Sequence, residues 1–214
     1  MAAKRTGPKA LLFDLDGTLL DSFAAHLAAF RAALAPFGIT LSRRRFLESY
    51  SPDWRETYRA VGLPRELWEE ASRHWREAVR KRPPPLLPGA ASTLAQLKKS
   101  YRLAIVTGGS KKRVLDDLAR TKILPVFDTV VCADDVRRPK PSPHGLRLAL
   151  RALRVKPRQA VYVGDTPTDF QMAANAGVAF VGIRSPFVPA RARSAYRLLD
   201  SVSELVPLLK DSSD

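Results

Sequence analysis

Phe13-Asp14-Leu15-Asp16-Gly17-Thr18-Leu19 is the stretch around which the 214-residue chain is organised. It continues the apolar run Ala10-Leu11-Leu12-Phe13, whose length and bounding predict a buried strand over residues 10–15. Gly17 breaks the strand and Thr18 opens a turn. Asp-Gly is also an ordinary turn pair. Here, however, two carboxylates two residues apart leave a strand end, which is where ligands bind in open α/β sheets. Two such charges repel unless a cation or a shared proton offsets them. A hard divalent cation such as Mg²⁺ takes oxygen ligands and often bridges to a substrate phosphate. The pair therefore points to metal-assisted phosphoryl transfer with one carboxylate as nucleophile.

Outward from this stretch the chain changes character twice. Between residues 21 and 82 apolar residues recur at helical spacing, as in Phe23, Leu27, Phe30 and Leu34. Helices are expected over 23–34 (stopped by Pro36 and Gly38), over 42–49 with Ser42 as cap, and over 54–61 and 65–80. Pro83-Pro84-Pro85 closes this segment as an extended connector. From Gly89 onward helices and strands alternate, with strands at 103–107, 129–132, 160–164 and 179–183 and a last helix over 201–209. Alternation of this kind predicts a doubly wound parallel α/β sheet with helices on both faces. The domain reading is thus 1–20 plus 83–214 as an α/β core, with 21–82 as a small all-helical insertion; residues 1–9 read as a frayed tail.

Composition narrows the class. A single cysteine, Cys132, rules out an internal disulfide and reads as a buried strand thiol. No apolar run approaches the ~20 residues that span a bilayer, and the basic N-terminus lacks the apolar core of a signal peptide, so a cytoplasmic protein with no membrane partner is expected. The net charge of +15 would attract polyanions, but the basic residues are dispersed and no nucleic-acid-binding motif lies among them. The runs Arg43-Arg44-Arg45 and Lys111-Lys112-Arg113 read as a basic surface that also suits a small phosphorylated partner.

Three more strand ends carry polar groups. Thr107-Gly108-Gly109-Ser110 offers a hydroxyl and backbone N–H groups ahead of a helix, a phosphate-binding arrangement. Lys140 lies between Pro139 and Pro141, a restricted backbone that suits a point charge aimed at one place. Gly164-Asp165-Thr166-Pro167-Thr168-Asp169 again puts two carboxylates at a strand end, although Asp169 also suits a helix cap. In a parallel sheet these ends share one edge. Converged, they supply what phosphoryl transfer needs.

In order and type these motifs resemble the haloacid dehalogenase superfamily, in the branch of phosphoglycolate phosphatase-like and β-phosphoglucomutase-like enzymes; the resemblance covers nearly the whole chain. It implies Asp14 as nucleophile and Asp16 as general acid/base. It implies Thr107, Gly108 and Lys140 at the phosphoryl group. Mg²⁺ would be held by Asp14, the Asp16 carbonyl and Asp165, with Asp169 direct or through water. Residues 21–82 would be a C1 cap, with Ser51 and Arg55 choosing the substrate. The expected activity is a Mg²⁺-dependent phosphatase acting on a small phosphomonoester of the phosphoglycolate type, as monomer or homodimer. A mutase of the β-phosphoglucomutase type and a non-catalytic phosphate-binding protein are the alternatives. Asp16 argues against dehalogenation, because relatives with that activity lack a carboxylate there. His26, His74 and His144 read as packing or surface residues. Gly108 stands where this branch often has Asn.

Overall fold

The computed structural model describes residues 7–188 and 195–211. The chain divides into two compact units, Met1–Leu20 with Leu86–Asp214, and Asp21–Pro85. The first carries a six-stranded parallel sheet in the order β3-β2-β1-β4-β5-β6. Its strands are β1 (Ala10–Phe13), β2 (Arg102–Val106), β3 (Thr129–Val131), β4 (Ala160–Gly164), β5 (Ala179–Ile183) and β6 (Arg197–Leu199). The chain winds from β1 through β2 to β3, then crosses back to lay β4 on the other side of β1. That reversal makes a topological switch point at β1, where open α/β sheets place their ligands.

The sheet is buried on both faces, as uninterrupted apolar strands require. Alternation along each strand divides the core in two. Leu11, Phe13, Leu103, Ile105, Val163 and Val181 face one side, with helices α5 (Ala90–Leu97), α6 (Lys111–Arg120) and α9 (Leu205–Asp211) contributing Leu94, Leu118 and Leu205. Ala10, Leu12, Ala104, Val106 and Tyr162 face the other, against Leu146 and Leu150 of α7 (His144–Leu153) and Met172 of α8 (Pro167–Ala176). Each fully buried Leu or Phe contributes about 1.5–3 kcal/mol.

The register sets the functional edge. Phe13 lies level with Ile105 of β2 and Val163 of β4. Asp14 follows Phe13, and its N–H donates to the Val163 carbonyl at 2.8 Å. Thr107 and Asp165 each follow the last residue of their strand. The three therefore leave the sheet together.

Residues Asp21–Pro85 form the second unit, with α1 (Phe23–Leu34), α2 (Arg43–Ser49), α3 (Trp54–Ala60) and α4 (Trp68–Lys81). Its interior is aromatic: the Phe30 ring lies 5.5 Å from Phe46, 5.8 Å from Tyr58 and 5.9 Å from Trp75. Ser42 caps α2 by accepting from the Arg45 N–H at 3.1 Å, as the sequence predicts. The unit's ends meet, since the Asp21 N–H donates to the Pro85 carbonyl at 2.9 Å. Just outside it, Leu20 and Leu86 pair as an antiparallel bridge.

Several local expectations change: β1 stops at Phe13 rather than at residue 15, and residues Arg65–Leu67 form a 3₁₀ turn ahead of α4. Residues 1–6 of the expected tail lie outside the described residues, and the tail ends before Lys9, whose N–H bonds Gln159 and whose carbonyl accepts from Arg102. β6, three residues long, carries no usable periodicity and went unread. Asp169 is not the N-cap of α8 but its third residue, because Thr166 takes the cap position and Pro167 is well placed at the first helical residue. The last helix opens as a 3₁₀ turn, Val202–Glu204. Cys132 is fully buried just past β3, and burial pushes its thiol up to about 11. Among the described residues no helix is long and apolar enough to cross a membrane.

Candidate active site

Lys140 is the centre of the site. Its ammonium donates to Asp14 Oδ1 at 2.6 Å, Asp169 Oδ1 at 2.7 Å and the Tyr162 hydroxyl at 2.9 Å. An ammonium has three N–H donors, so all three have a partner. The side chain is only 6 % exposed. Asp14 follows the end of β1 and Asp169 lies in the first turn of α8, and this cation bridges them, in line with a lysine held between prolines and aimed at one place.

Asp165 completes the cluster. Asp14, Asp165 and Asp169 each place one carboxylate oxygen within 4.8 Å of the others, and all three are buried. Thr18 Oγ1 donates to Asp165 Oδ1 at 3.3 Å, and Ser185 Oγ donates to the Asp165 carbonyl at 3.0 Å. The turn after β1 makes room for it. Gly17 has φ +77°, and a Cβ there would lie 2.2 Å from Asp165 Oδ2. Only glycine serves at that position.

Asp169 is both scaffold and site residue. Its Oδ2 accepts from the Thr166 N–H at 3.1 Å and the Thr166 hydroxyl at 2.6 Å, while the Asp169 N–H donates back to Thr166 Oγ1 at 3.2 Å. This is a capping box. Its Oδ1 meets Lys140 and the Tyr162 hydroxyl, the latter at 3.0 Å. The cap role and the site role are thus divided between its two oxygens.

The electrostatics carry a consistent imbalance. Three carboxylates face one ammonium, so full ionisation would leave two negative charges uncompensated among the described residues. Burial pushes the Asp14 carboxyl up to about 7; Asp169 and Asp16 add to this and Lys140 opposes it. Burial raises Asp165 well above the usual carboxylate range, with Asp169 and Asp14 adding. Burial also acts on Asp169, but Lys140 and the bonds from Thr166 and Tyr162 hold it below its ordinary value. Lys140 is raised despite burial, by Asp14 and Asp169. An all-oxygen donor set short of two positive charges fits a hard divalent cation.

Thr107 follows β2, is buried, and accepts from the Gly109 N–H at 3.2 Å; Gly108 lies between them. Asp16 is held by Arg113, with Nη2 to Oδ2 at 2.5 Å and Nη1 to Oδ1 at 3.2 Å. Ser51 and Arg55 belong to the helical unit. There the Ser51 hydroxyl accepts from the Asp53 N–H at 3.2 Å, and Arg55 stacks 4.5 Å over the Trp54 ring and pairs with Asp53 at 3.6 Å.

Three residues of this network escaped the sequence reading. Tyr162 sits in an apolar strand and reads as core. Its signal is a hydroxyl two residues before Gly164-Asp165, on the α7–α8 face. Thr166 was legible from the Thr-x-x-Asp pattern. In the sequence Arg113 stands with Lys111 and Lys112 as basic surface. Its side chain is instead 14 % exposed, and its signal was Asp117, one helical turn on.

The chain is similar to known proteins over most of its length. The family model described as "Haloacid dehalogenase-like hydrolase" matches residues 11–183. The pyrophosphatase PpaX of Bacillus velezensis is 34 % identical over 205 residues, covering 92 % of this chain and 94 % of its own. A haloacid dehalogenase-like hydrolase structure from Bacteroides fragilis superposes with a TM-score of 0.85 at 27 % identity, covering 92 % of this chain and 99 % of that one. CbbY from Rhodobacter sphaeroides, solved in complex with phosphate, gives a TM-score of 0.77 at 28 % identity, covering 92 % and 96 %. With the match spanning most of the chain and the carboxylate–lysine cluster at its sheet edge, this protein belongs to the haloacid dehalogenase-like hydrolase family.

Proposed function

We propose that the protein is a Mg²⁺-dependent phosphatase that hydrolyses a small phosphomonoester through an aspartyl-phosphate on Asp14. The observation that carries this reading is Lys140 bridging Asp14 and Asp169 beside a buried Asp165. A carboxylate nucleophile must approach an anionic phosphoryl group, and an adjacent fixed cation lowers that repulsion. In this reading Asp14 attacks phosphorus while Asp16 gives a proton to the leaving oxygen. Asp16 then takes a proton from water, which attacks phosphorus and releases phosphate and the Asp14 carboxylate. Thr107 and the Gly108 backbone bind the phosphoryl oxygens. Asp14, Asp165 and the Asp16 carbonyl would hold the metal, with Asp169 acting through water because both its oxygens already meet protein donors. When bound, Mg²⁺ supplies charge compensation and orients the phosphoryl group.

Substrate choice is assigned to Ser51 and Arg55, arginine being suited to a second anionic group of the phosphoglycolate kind. Pyrophosphate is the second reading, favoured by the activity in the PpaX relative's name. Phosphate release from phosphoglycolate, pyrophosphate, sugar phosphates and nucleotides, with Mg²⁺ and with EDTA, tests both. Metal-dependent release supports the reading and its ranking names the substrate. Conversion of β-glucose 1-phosphate without net phosphate release would favour the mutase.

A further inference from the structure

Helix α6 carries a chain of alternating charges that ends on Asp16. Arg120 Nη2 donates to Asp117 Oδ1 at 2.9 Å, and Asp117 Oδ2 accepts from Arg113 Nη1 at 3.2 Å. Arg113 then grips both oxygens of Asp16. The spacing i, i+4 and i+7 puts all three α6 residues on one face. Asp117 is buried at 4 % exposure, and the Asp16 and Arg113 side chains are 12 % and 14 % exposed. A bidentate guanidinium–carboxylate pair fixes a plane as well as a distance. A surface pair would leave both side chains mobile.

A second observation shows that the loop is cut to admit this arginine. A Cβ on Gly109 would lie 2.2 Å from Arg113 Nη2, 2.8 Å from Val114 Cγ2 and 3.1 Å from Arg113 Cζ. With no side chain at residue 109, the guanidinium occupies this space on its way to Asp16.

We propose that Arg113 is a positioning residue that fixes the Asp16 carboxylate for proton transfer in the reaction above. The inference rests on that phosphatase reading. In the first step an Asp14 oxygen forms a bond to phosphorus and the bond from phosphorus to the leaving oxygen breaks, the leaving oxygen taking a proton from Asp16. In the second, Asp16 takes a proton from water, the water oxygen bonds to phosphorus, and the bond from phosphorus to Asp14 breaks. Misplacing a proton-transfer group by about 1 Å can cost on the order of 100-fold.

p-Nitrophenyl phosphate separates the steps, because p-nitrophenolate leaves without a proton. With Mg²⁺ present, single-turnover release of p-nitrophenolate reads the first step. Decay of the acid-trapped phosphorylated enzyme reads the second. Arg113→Ala is expected to leave the release within twofold of wild type and to lengthen the life of the phosphorylated enzyme at least tenfold. Arg113→Lys should recover part of the loss. Gly109→Ala should reproduce it with the charge retained. Asp117 keeps its Arg120 partner in both Arg113 variants, and thermal unfolding checks that the fold survives. An unchanged lifetime overturns the proposal, as does equal slowing of both steps, which marks a general supporting role. A wild type that releases no p-nitrophenolate and forms no phosphorylated enzyme overturns the phosphatase reading, and this role falls with it.

Discussion

The Tyr162 hydroxyl accepts from Lys140 at 2.9 Å and lies 3.0 Å from both the Val106 carbonyl and Asp169 Oδ1. One phenol on β4 thus ties the cation that bridges Asp14 and Asp169 to the end of β2. Burial, with Asp169 adding, pushes its ionisation well above the ordinary tyrosine value, so it stays a neutral donor and acceptor.

Tyr162→Phe removes that tie and leaves Lys140 with two acceptors. The expected loss is about 1–3 kcal/mol of stability, the cost of unsatisfied buried polar groups, together with a fall in turnover. Chemical denaturation and steady-state kinetics check it. Unchanged values for both would show that Lys140 is held adequately by its two carboxylates.

Asp14 predicts a pH effect on the metal-free protein. Unfolded, its carboxyl titrates near 3.8; folded, it holds its proton to about 7. Between those values the folded state binds the extra proton, so this group's contribution is fully present below about pH 4 and is lost as pH rises through 7. In EDTA, the Tm of wild type relative to Asp14→Asn should fall as pH goes from 4 to 7. A difference that is flat or rises over this range contradicts the raised value.

Asp165→Asn should act in opposite directions with and without metal. The Asp165 charge is disfavoured by burial and by its neighbours, so the neutral amide is expected to raise Tm in EDTA at neutral pH. Wild type should gain Tm on adding Mg²⁺, since a ligand bound only by the folded state stabilises it. The variant should lose most of that gain. An equal Mg²⁺ response in both proteins removes Asp165 from the ligand set.

Gly17→Ala forces a side chain into the left-handed region, at a cost of roughly 1–2 kcal/mol. It also drives a methyl into the Asp165 carboxylate. Turnover should fall on the order of 100-fold, beyond what the stability loss explains. Mg²⁺ titration of activity should show a weaker apparent affinity.

Arg55→Ala should raise KM for the best anionic substrate several-fold while leaving kcat within about twofold. The removed group would contribute binding and no transition-state contact. An unchanged KM withdraws Arg55 from substrate recognition.

Much of this was legible from residue order because the strong signals are local. Apolar runs such as Leu103-Ala104-Ile105-Val106 end at polar residues that a parallel sheet must bring to one edge. Asp14, Thr107 and Asp165 follow from that rule, while Lys140 and Asp169 lie further along the loop and helix that come after their strands. The parts that escaped depend on distance in the chain. Tyr162 reads as core until Lys140, 22 residues earlier, is placed beside it. Arg113 reads as surface until Asp16, 97 residues earlier, is found under it. Asp169 allows two local readings, cap and site, and its two oxygens point to different partners, Oδ2 to Thr166 in the capping box and Oδ1 to Lys140. β6 is three residues of Arg-Leu-Leu, too short for a period-two pattern to emerge.

The pairing of Leu20 with Leu86, with the Asp21 N–H on the Pro85 carbonyl, has a bearing on how such a chain can diversify. A segment that departs and returns through adjacent residues adds only a loop-closure entropy to its host, and that term grows with the logarithm of its length. What lies between positions 21 and 85 can lengthen, shrink or be exchanged while the register that lines up Asp14, Thr107 and Asp165 stays as it is. The stretch that carries Asp14, Thr107 and Asp165 and the stretch between positions 21 and 85 are thereby separable within one gene, free to change at different rates.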